Sequence, residues 1–268
     1  MKKRVFCFIM VVIVALSLTA CGSKGEGSWE YIEKKGTFIL GLDDSFPPMG
    51  FRDDDNNIVG FDVDLAKAVC EKLGVELVLQ PIKWTAKEQE LNTKNIDCIW
   101  NGFSVTEERL ANLTMSIPYM ENTIAMVVVK DSGIKNKADM AGKRLAVQGG
   151  SSAEEALNSD ENKEFRESLG EINASFKDYV TALMDLETGN SDAVLMDSVV
   201  ANYMINEAGK NYVILDDSLV AEEYAIGFRK GEEALAEAVN KALRELKNDG
   251  TVERIATEWF GSDITIIK

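Results

Sequence analysis

Residues 95–109 read NIDCIWNGFSVTEER, and their order of apolar and polar groups points to one class of fold. Cys98, Ile99 and Trp100 form an apolar run between polar neighbours, the pattern of a strand covered on both faces in an α/β protein. Asn101, Gly102 and Ser104 follow at its carboxyl end, where open α/β sheets bind ligands. Thr106 then predicts a helix cap with Arg109 in the third helical position. An arginine held in that way can grip a carboxylate.

The stretch recurs. Leu91, Thr93, Asn95 and Asp97 are matched 95 positions later by Leu186, Thr188, Asn190 and Asp192, followed by the apolar Ala193, Val194 and Leu195. If both copies form a helix, a turn and a strand, Gly102 and Asp197 occupy equivalent strand tips in two similar halves. Facing halves would set an anion-binding arginine opposite a cation-binding aspartate.

Residues 1–20 are set aside as a secretory leader, because Lys2, Lys3 and Arg4 precede an apolar run over residues 5–16. That run is shorter than the ~20 residues needed to span a bilayer. Residues 18–21, LTAC, resemble a bacterial lipobox, which implies cleavage before Cys21, acylation of Cys21 and anchoring on the outer face of the cell membrane. Residues 21–28 then form a flexible tether.

Removing Lys2, Lys3 and Arg4 takes the net charge from −16 to −19, which argues against nucleic acid or anionic lipid as a partner. The only membrane contact expected is the lipid anchor. Histidine is absent, so His-dependent triads and His-ligated zinc are excluded. No cofactor and no metal are expected. The acidic residues 53–57, DDDNN, lack the glycine and distal glutamate of an EF-hand and read as a solvated hairpin tip. Export permits a Cys70–Cys98 disulfide, but two buried thiols are the favoured account.

Along the chain, residues 37–42 form a strand that delivers Asp43, Asp44 and Phe46 before Pro47 and Pro48. Residues 60–73 are a helix with Asp62 as its expected cap, ended by Gly74. Trp84 precedes an expected capping box of Thr85 and Glu88, and Ser152 with Glu155 makes another beside Gln148, Gly149, Gly150 and Ser151. Free helix-start amides there suit a carboxylate. No lysine follows the glycines, so the stretch is not a P-loop. The alternation of strands and helices predicts parallel sheets.

GFDVDLAKAVCEKL at residues 60–73, NGFSVTEER at 101–109 and AVLMDS at 193–198 resemble, in order and spacing, the signature blocks of polar amino acid solute-binding proteins that feed ABC importers. The resemblance covers residues 29–261. It implies an α/β, two-lobed, periplasmic-binding-protein-like (type II) fold, each lobe a mixed, mostly parallel sheet flanked by helices. Lobe 1 is then residues 29–118 and 225–268, lobe 2 is 121–219, and the hinges lie near 118–122 and 220–224. The lobes close over ligand by hinge bending, a motion for which periplasmic binding proteins are a standard example.

Carried residue by residue, the resemblance agrees with the reading above in giving the ligand carboxylate to Arg109, helped by Ser104 and by Ser151 or Ser152. Asp197 takes the ammonium group, with the Gly102 carbonyl and the Ser104 hydroxyl. Phe46 and Trp84 are apolar walls, and Asp43, Asn101 and Gln148 face the ligand side chain. Asp43 and Asp44 lean the choice toward a basic or amide-bearing amino acid. The expected partners are that ligand and the importer's permease subunits, and the chain is expected to be a monomer that catalyses nothing. The alternatives are an enzyme resembling the cyclohexadienyl dehydratases of the same fold, with Glu88 or Asp43 as its acid, and an amino acid sensor.

Overall fold

The computed structural model describes residues 28–206 and 209–268; Cys21 and the leader lie outside them. Among the described residues the main sheet runs, edge to edge, Glu171–Phe176, Arg144–Gln148, Ala193–Asp197, Met120–Val129, Tyr212–Arg229, Cys98–Ser104, Thr37–Leu42 and Glu76–Pro81, with Leu113–Met115 branching from Tyr212–Arg229. Pairing is parallel on both flanks, Thr37–Leu42 lying between Glu76–Pro81 and Cys98–Ser104, and Arg144–Gln148 between Glu171–Phe176 and Ala193–Asp197. The pairs in the middle are antiparallel. The expectation of parallel sheets therefore holds for the flanks alone. The flanks, each with its own helices, are the two α/β lobes of the type II fold.

The antiparallel centre arises where the chain changes lobes. Met120–Val129 pairs with Tyr212–Arg229 from Val129↔Tyr212 to Met120↔Tyr224, with the register shifting between Ile214 and Val220. Beyond that, Tyr212–Arg229 pairs with Cys98–Ser104 and Leu113–Met115. What reads in sequence as two strands, at 212–215 and 223–228, is one long strand spanning both lobes.

Helix Phe61–Leu73 packs against Glu233–Asn248 and buries Leu65, Val69, Val239 and Leu243 completely. Their i, i+4 spacing places each pair on one helix face. The helix stops at Gly74, which takes φ +72° and donates its N–H to the Cys70 and Glu71 carbonyls. Its cap is Gly60, not Asp62. Asp62 lies two residues past that cap and is buried, accepting hydrogen bonds from the Gly102 N–H at 2.7 Å and the Tyr119 hydroxyl at 2.9 Å. A helix-start acid was legible; its use as a buried brace under the Cys98–Ser104 strand was not.

Two further caps shift. The Thr85–Glu88 box does not form, because residues Trp84–Ala86 make a 3₁₀ turn before helix Lys87–Asn92. Ser151 caps Ser152–Asn158, its hydroxyl accepting from the Glu154 N–H, while the Glu154 carboxylate accepts from the Gly150 N–H. The acid that reaches back is thus one residue earlier than expected. Residues 53–57 form the expected hairpin tip, with Asp53 Oδ1 accepting from the Asp55 and Asn57 N–H groups. Cys70 and Cys98 are free and buried; burial pushes the Cys70 thiol up to about 12 and Cys98 well above its ordinary value.

The recurring sequence is a recurring structure. Lys94 and Gly189 both take positive φ, +63° and +74°, and their N–H groups bond to Leu91 O and Leu186 O. Asn95 and Asn190 bond back to Glu90 O and Asp185 O. Asp97 exchanges hydrogen bonds with the Ile39 backbone as Asp192 does with Arg144. Each copy thereby docks its strand beside a parallel neighbour, and Gly102 and Asp197 fall at matching positions toward the carboxyl ends.

Candidate functional site

Those two strand ends flank the central pair Met120–Val129 and Tyr212–Arg229, where Tyr224 bonds to Asp197 and packs beside Gly102. Helix Glu107–Asn112 follows Cys98–Ser104 directly, and Thr106 caps it by accepting from the Arg109 N–H. The cap turns the Arg109 side chain back over its own strand. Its Nη1 donates to the Ser104 carbonyl at 2.7 Å, and its guanidinium carbon stands 4.1 Å from the centre of the Phe103 ring. A guanidinium over an aromatic face is held there by attraction to the ring. Burial draws the guanidinium below its ordinary range, opposed by the carboxylates of Glu155, Glu222, Asp197 and Glu88; it stays charged.

On the other side, Asp197 is buried at the end of Ala193–Asp197. Its Oδ1 accepts from the Tyr224 hydroxyl at 2.6 Å and the Asn122 amide at 2.7 Å. Burial pushes its carboxyl up, while Tyr224, Tyr179 and Arg109 pull it down. The Tyr179 hydroxyl is buried with no hydrogen bond of good geometry, so it bears on Asp197 by proximity.

A chain of polar contacts links the two charges. The Ser104 and Ser152 hydroxyls lie 3.1 Å apart across the lobes, and Ser152 donates to Glu222 Oε2 at 3.0 Å. The Asn122 amide reaches both Glu222, at 3.4 Å, and Asp197. Arg109 and Asp197 therefore belong to one site. Glu222, Asn122, Tyr179 and Tyr224 are members that the sequence reading did not single out. Asn122 and Glu222 are cross-strand partners where the chain passes between lobes, a register that only the pairing reveals.

Further along the cleft, Asp43 Oδ2 accepts from Gln148 Nε2 at 2.8 Å, and Gln148 also donates to the Lys177 carbonyl. The Asp43 N–H donates to Asn101 Oδ1 at 2.9 Å, which leaves the buried Asn101 Nδ2 unpartnered. Burial raises the Asp43 carboxyl to about 6, against the pull of Gln148 and the Ser45 N–H; Asp178 and Asp44 push it further up. Asp44 itself turns outward to Arg52, at 2.5 Å. The other acid near this end is Asp178, buried as the cap of helix Tyr179–Glu187 and paired with Lys177 at 3.2 Å.

Phe46 packs on Tyr179, with ring centres 5.7 Å apart. Gly102 lies under both aromatic neighbours: a Cβ there would come within 2.7 Å of Phe46 and 3.2 Å of Tyr224. Trp84 stands edge-on to Phe103 at 5.9 Å, backing the ring beneath Arg109. It belongs to a core cluster with Leu91, Ile96 and Ile99. Lys87, also missed in the sequence, sits 5.3 Å over Trp84 and donates to the Gly150 carbonyl of the opposite lobe at 2.9 Å. Burial lowers its ammonium to about 8, helped by Arg109. The Ser151 hydroxyl is used locally, donating to the Gln148 carbonyl. A cavity of about 520 Å³ opens beside Arg109 and Ser151, and one of about 660 Å³ beside Asn122 and Glu222. Among the described residues no group of acids and cysteines is arranged to hold a metal, and no helix is long and apolar enough to cross a membrane.

The arrangement brings one buried cation and two buried carboxyl groups into a single polar network, with each flank of the sheet supplying part. The sequence profile of the bacterial extracellular solute-binding proteins, family 3, matches residues 38–262. The chain is 30% identical to the L-cystine-binding protein TcyJ of Escherichia coli over 260 residues, 96% of this chain and 95% of that one. It is 32% identical to the arginine-binding extracellular protein ArtP of Bacillus subtilis over 260 residues, 96% of this chain and 98% of that one. A crystal structure of an ABC uptake transporter substrate-binding protein from Streptococcus pneumoniae with bound histidine superposes with a TM-score of 0.85 at 37% identity, covering 88% of this chain and 97% of that one.

Proposed function

Because this chain belongs to the bacterial extracellular solute-binding proteins of family 3, we propose that it captures a polar amino acid between its lobes and presents it to the permease of an ABC importer. The observation that carries the reading is the continuous polar path from Arg109 to Asp197 through Ser104, Ser152, Glu222 and Asn122. Arg109 grips the ligand carboxylate, with Ser104 and Ser152 beside it, and Asp197 takes the ammonium group. Phe46 walls the ligand site, Trp84 holds the Phe103 ring under Arg109, and Asp43, Asn101 and Gln148 meet the ligand side chain. Asp43 at that end favours a cationic side chain, while Asp178 is already paired with Lys177. The relatives named for cystine and arginine, and the structure holding histidine, support a polar ligand without choosing among them.

In this reading lobe 1 is residues 29–118 and 225–268, lobe 2 is 121–219, and the crossovers near 118–122 and 220–224 are the hinges. The contacts Asp43–Gln148, Ser104–Ser152 and Lys87–Gly150 join the lobes in the closed form. Ligand that bridges both lobes shifts the population toward that form, which the permease recognises. Acylation of Cys21 keeps the monomer at the outer face of the membrane. No step requires a general acid, so the protein binds and does not catalyse.

A thermal-shift screen against the standard amino acids, cystine and ornithine tests the reading, because a ligand that binds only the folded state raises the melting point. A shift with one polar amino acid is expected. No shift with any of them, together with release of an aromatic keto acid from prephenate, would replace capture by dehydratase activity.

A further inference from the structure

Glu222 is absent from the pairing of Arg109 with Asp197 described above, yet it sits between them. It is buried on the strand Tyr212–Arg229 where that strand crosses between lobes. Its Oε2 accepts from Ser152 at 3.0 Å and faces the Asn122 amide that also bonds Asp197. Its reach toward a ligand follows from these bonds, since Ser152 and Asn122 are the residues that connect the Arg109 side of the site to Asp197. Its neighbour Glu223 is exposed on the other face of the strand.

We propose that Glu222 is a specificity-determining residue that completes, beside Asp197, a two-carboxylate seat which admits an α-ammonium group and rejects the uncharged hydroxyl of a 2-hydroxy acid. The inference rests on the capture of an amino acid argued above. Two largely buried carboxylates bridged by one amide nitrogen do not both stay ionised. Burial and then the Asp197 charge push Glu222 up to about 7. The other charged or titratable groups around it are Arg109, Tyr179 and Tyr224, with Glu121 and Glu223 on one adjoining cavity and Glu107, Glu155 and Glu161 on the other. The empty seat therefore holds a proton near neutral pH. An arriving ammonium takes its place: the carboxyl O–H bond breaks, the proton passes to bulk water, and N–H groups of the ligand donate to both carboxylates. A hydroxyl brings no charge to replace the proton. Affinity for an amino acid should then rise as pH passes upward through the range where Glu222 ionises.

Wild type, Glu222→Gln and the exposed control Glu223→Gln are titrated calorimetrically with L-arginine, L-histidine and L-glutamine and with their 2-hydroxy analogues, in buffers of differing ionisation enthalpy. At about pH 8.5 Glu222→Gln should weaken the amino acid that wild type binds by roughly tenfold or more, the size of one charge-assisted hydrogen bond. At about pH 5.5, where Glu222 is already protonated, the loss should shrink to about threefold or less. The variant should release fewer protons on binding at neutral pH and discriminate less against the 2-hydroxy analogue, and Glu223→Gln should match wild type. Unchanged melting in Glu222→Gln excludes misfolding, and a misfolded variant would be replaced by Glu222→Met, for which the same losses are expected. Equal affinity, equal proton release and equal discrimination in wild type and a folded variant would overturn the proposal while leaving amino acid capture intact. Wild-type binding of none of the amino acids would overturn capture, and the proposal with it.

Discussion

Gly102→Ala probes how tightly the site is built. Gly102 takes φ +54°, where an alanine pays roughly 1–2 kcal/mol for the crowding of its Cβ. That methyl would also stand 2.7 Å from Phe46 Cε1 and 3.2 Å from Tyr224 Cζ. Phe46 cannot swing aside freely, because it is 5% exposed and packed on Tyr179. Overpacking of this kind costs about 1–3 kcal/mol, so Gly102→Ala should lose about 2–5 kcal/mol in all. Gly74→Ala is the matched control: its φ is +72° and nothing lies within 4 Å of the added methyl. It should lose only the backbone part, roughly 1–2 kcal/mol. Urea unfolding followed by circular dichroism gives both values. Calorimetry should add that Gly102→Ala weakens ligand binding by about tenfold or more, as expected when an aromatic wall is displaced by more than ~1 kcal/mol, while Gly74→Ala does not. Equal stability loss in the two variants, with binding intact in both, would refute the close packing of Gly102 against the aromatic walls.

Arg109→Ala should abolish detectable binding, since the ligand carboxylate would be buried with no partner at a cost of several kcal/mol, and isothermal titration at millimolar ligand checks it. Arg229→Ala should do the reverse. Arg229 bonds to Glu232 at 2.7 Å and to the Leu91 and Ile96 carbonyls, so its loss should destabilise by about 3–5 kcal/mol in urea unfolding while the folded fraction binds normally. Asp62 should make stability fall as pH rises: burial lifts its carboxyl from 3.8 to about 7, so the folded state holds the proton more tightly and that contribution is lost between those values. Denaturation at about pH 5 and pH 8 should show a flatter dependence in Asp62→Asn. Cys21→Ser should abolish palmitate labelling and release the protein from membranes in cell fractionation.

What could be read from sequence was local. The Thr106 cap and Arg109 are three residues apart, and the recurring Leu, Thr, Asn, Asp pattern specifies a turn closed by its own backbone bonds, so both appear in the structure as expected. Asp197 followed from the recurrence. Glu222 did not, because its significance depends on pairing with Asn122, 100 residues away, and no short-range pattern distinguishes it from Glu223. Asp62 looked like a cap because acids favour helix starts; its partners Gly102 and Tyr119 lie on other elements. Nothing in the local sequence marks Lys87, whose partner, the Gly150 carbonyl, comes from the opposing lobe. Asp44 counted toward a cationic ligand until Arg52 across the hairpin claimed it.

The most direct test of recognition at both charged ends uses the ligand itself. The amino acid selected by the thermal-shift screen is titrated beside its decarboxylated amine and its deaminated acid. Each analogue leaves Arg109 or the Asp197 and Glu222 pair buried against nothing, and each should lose at least about a thousandfold in affinity, roughly 4 kcal/mol. Binding of either analogue within about tenfold of the parent would contradict the account.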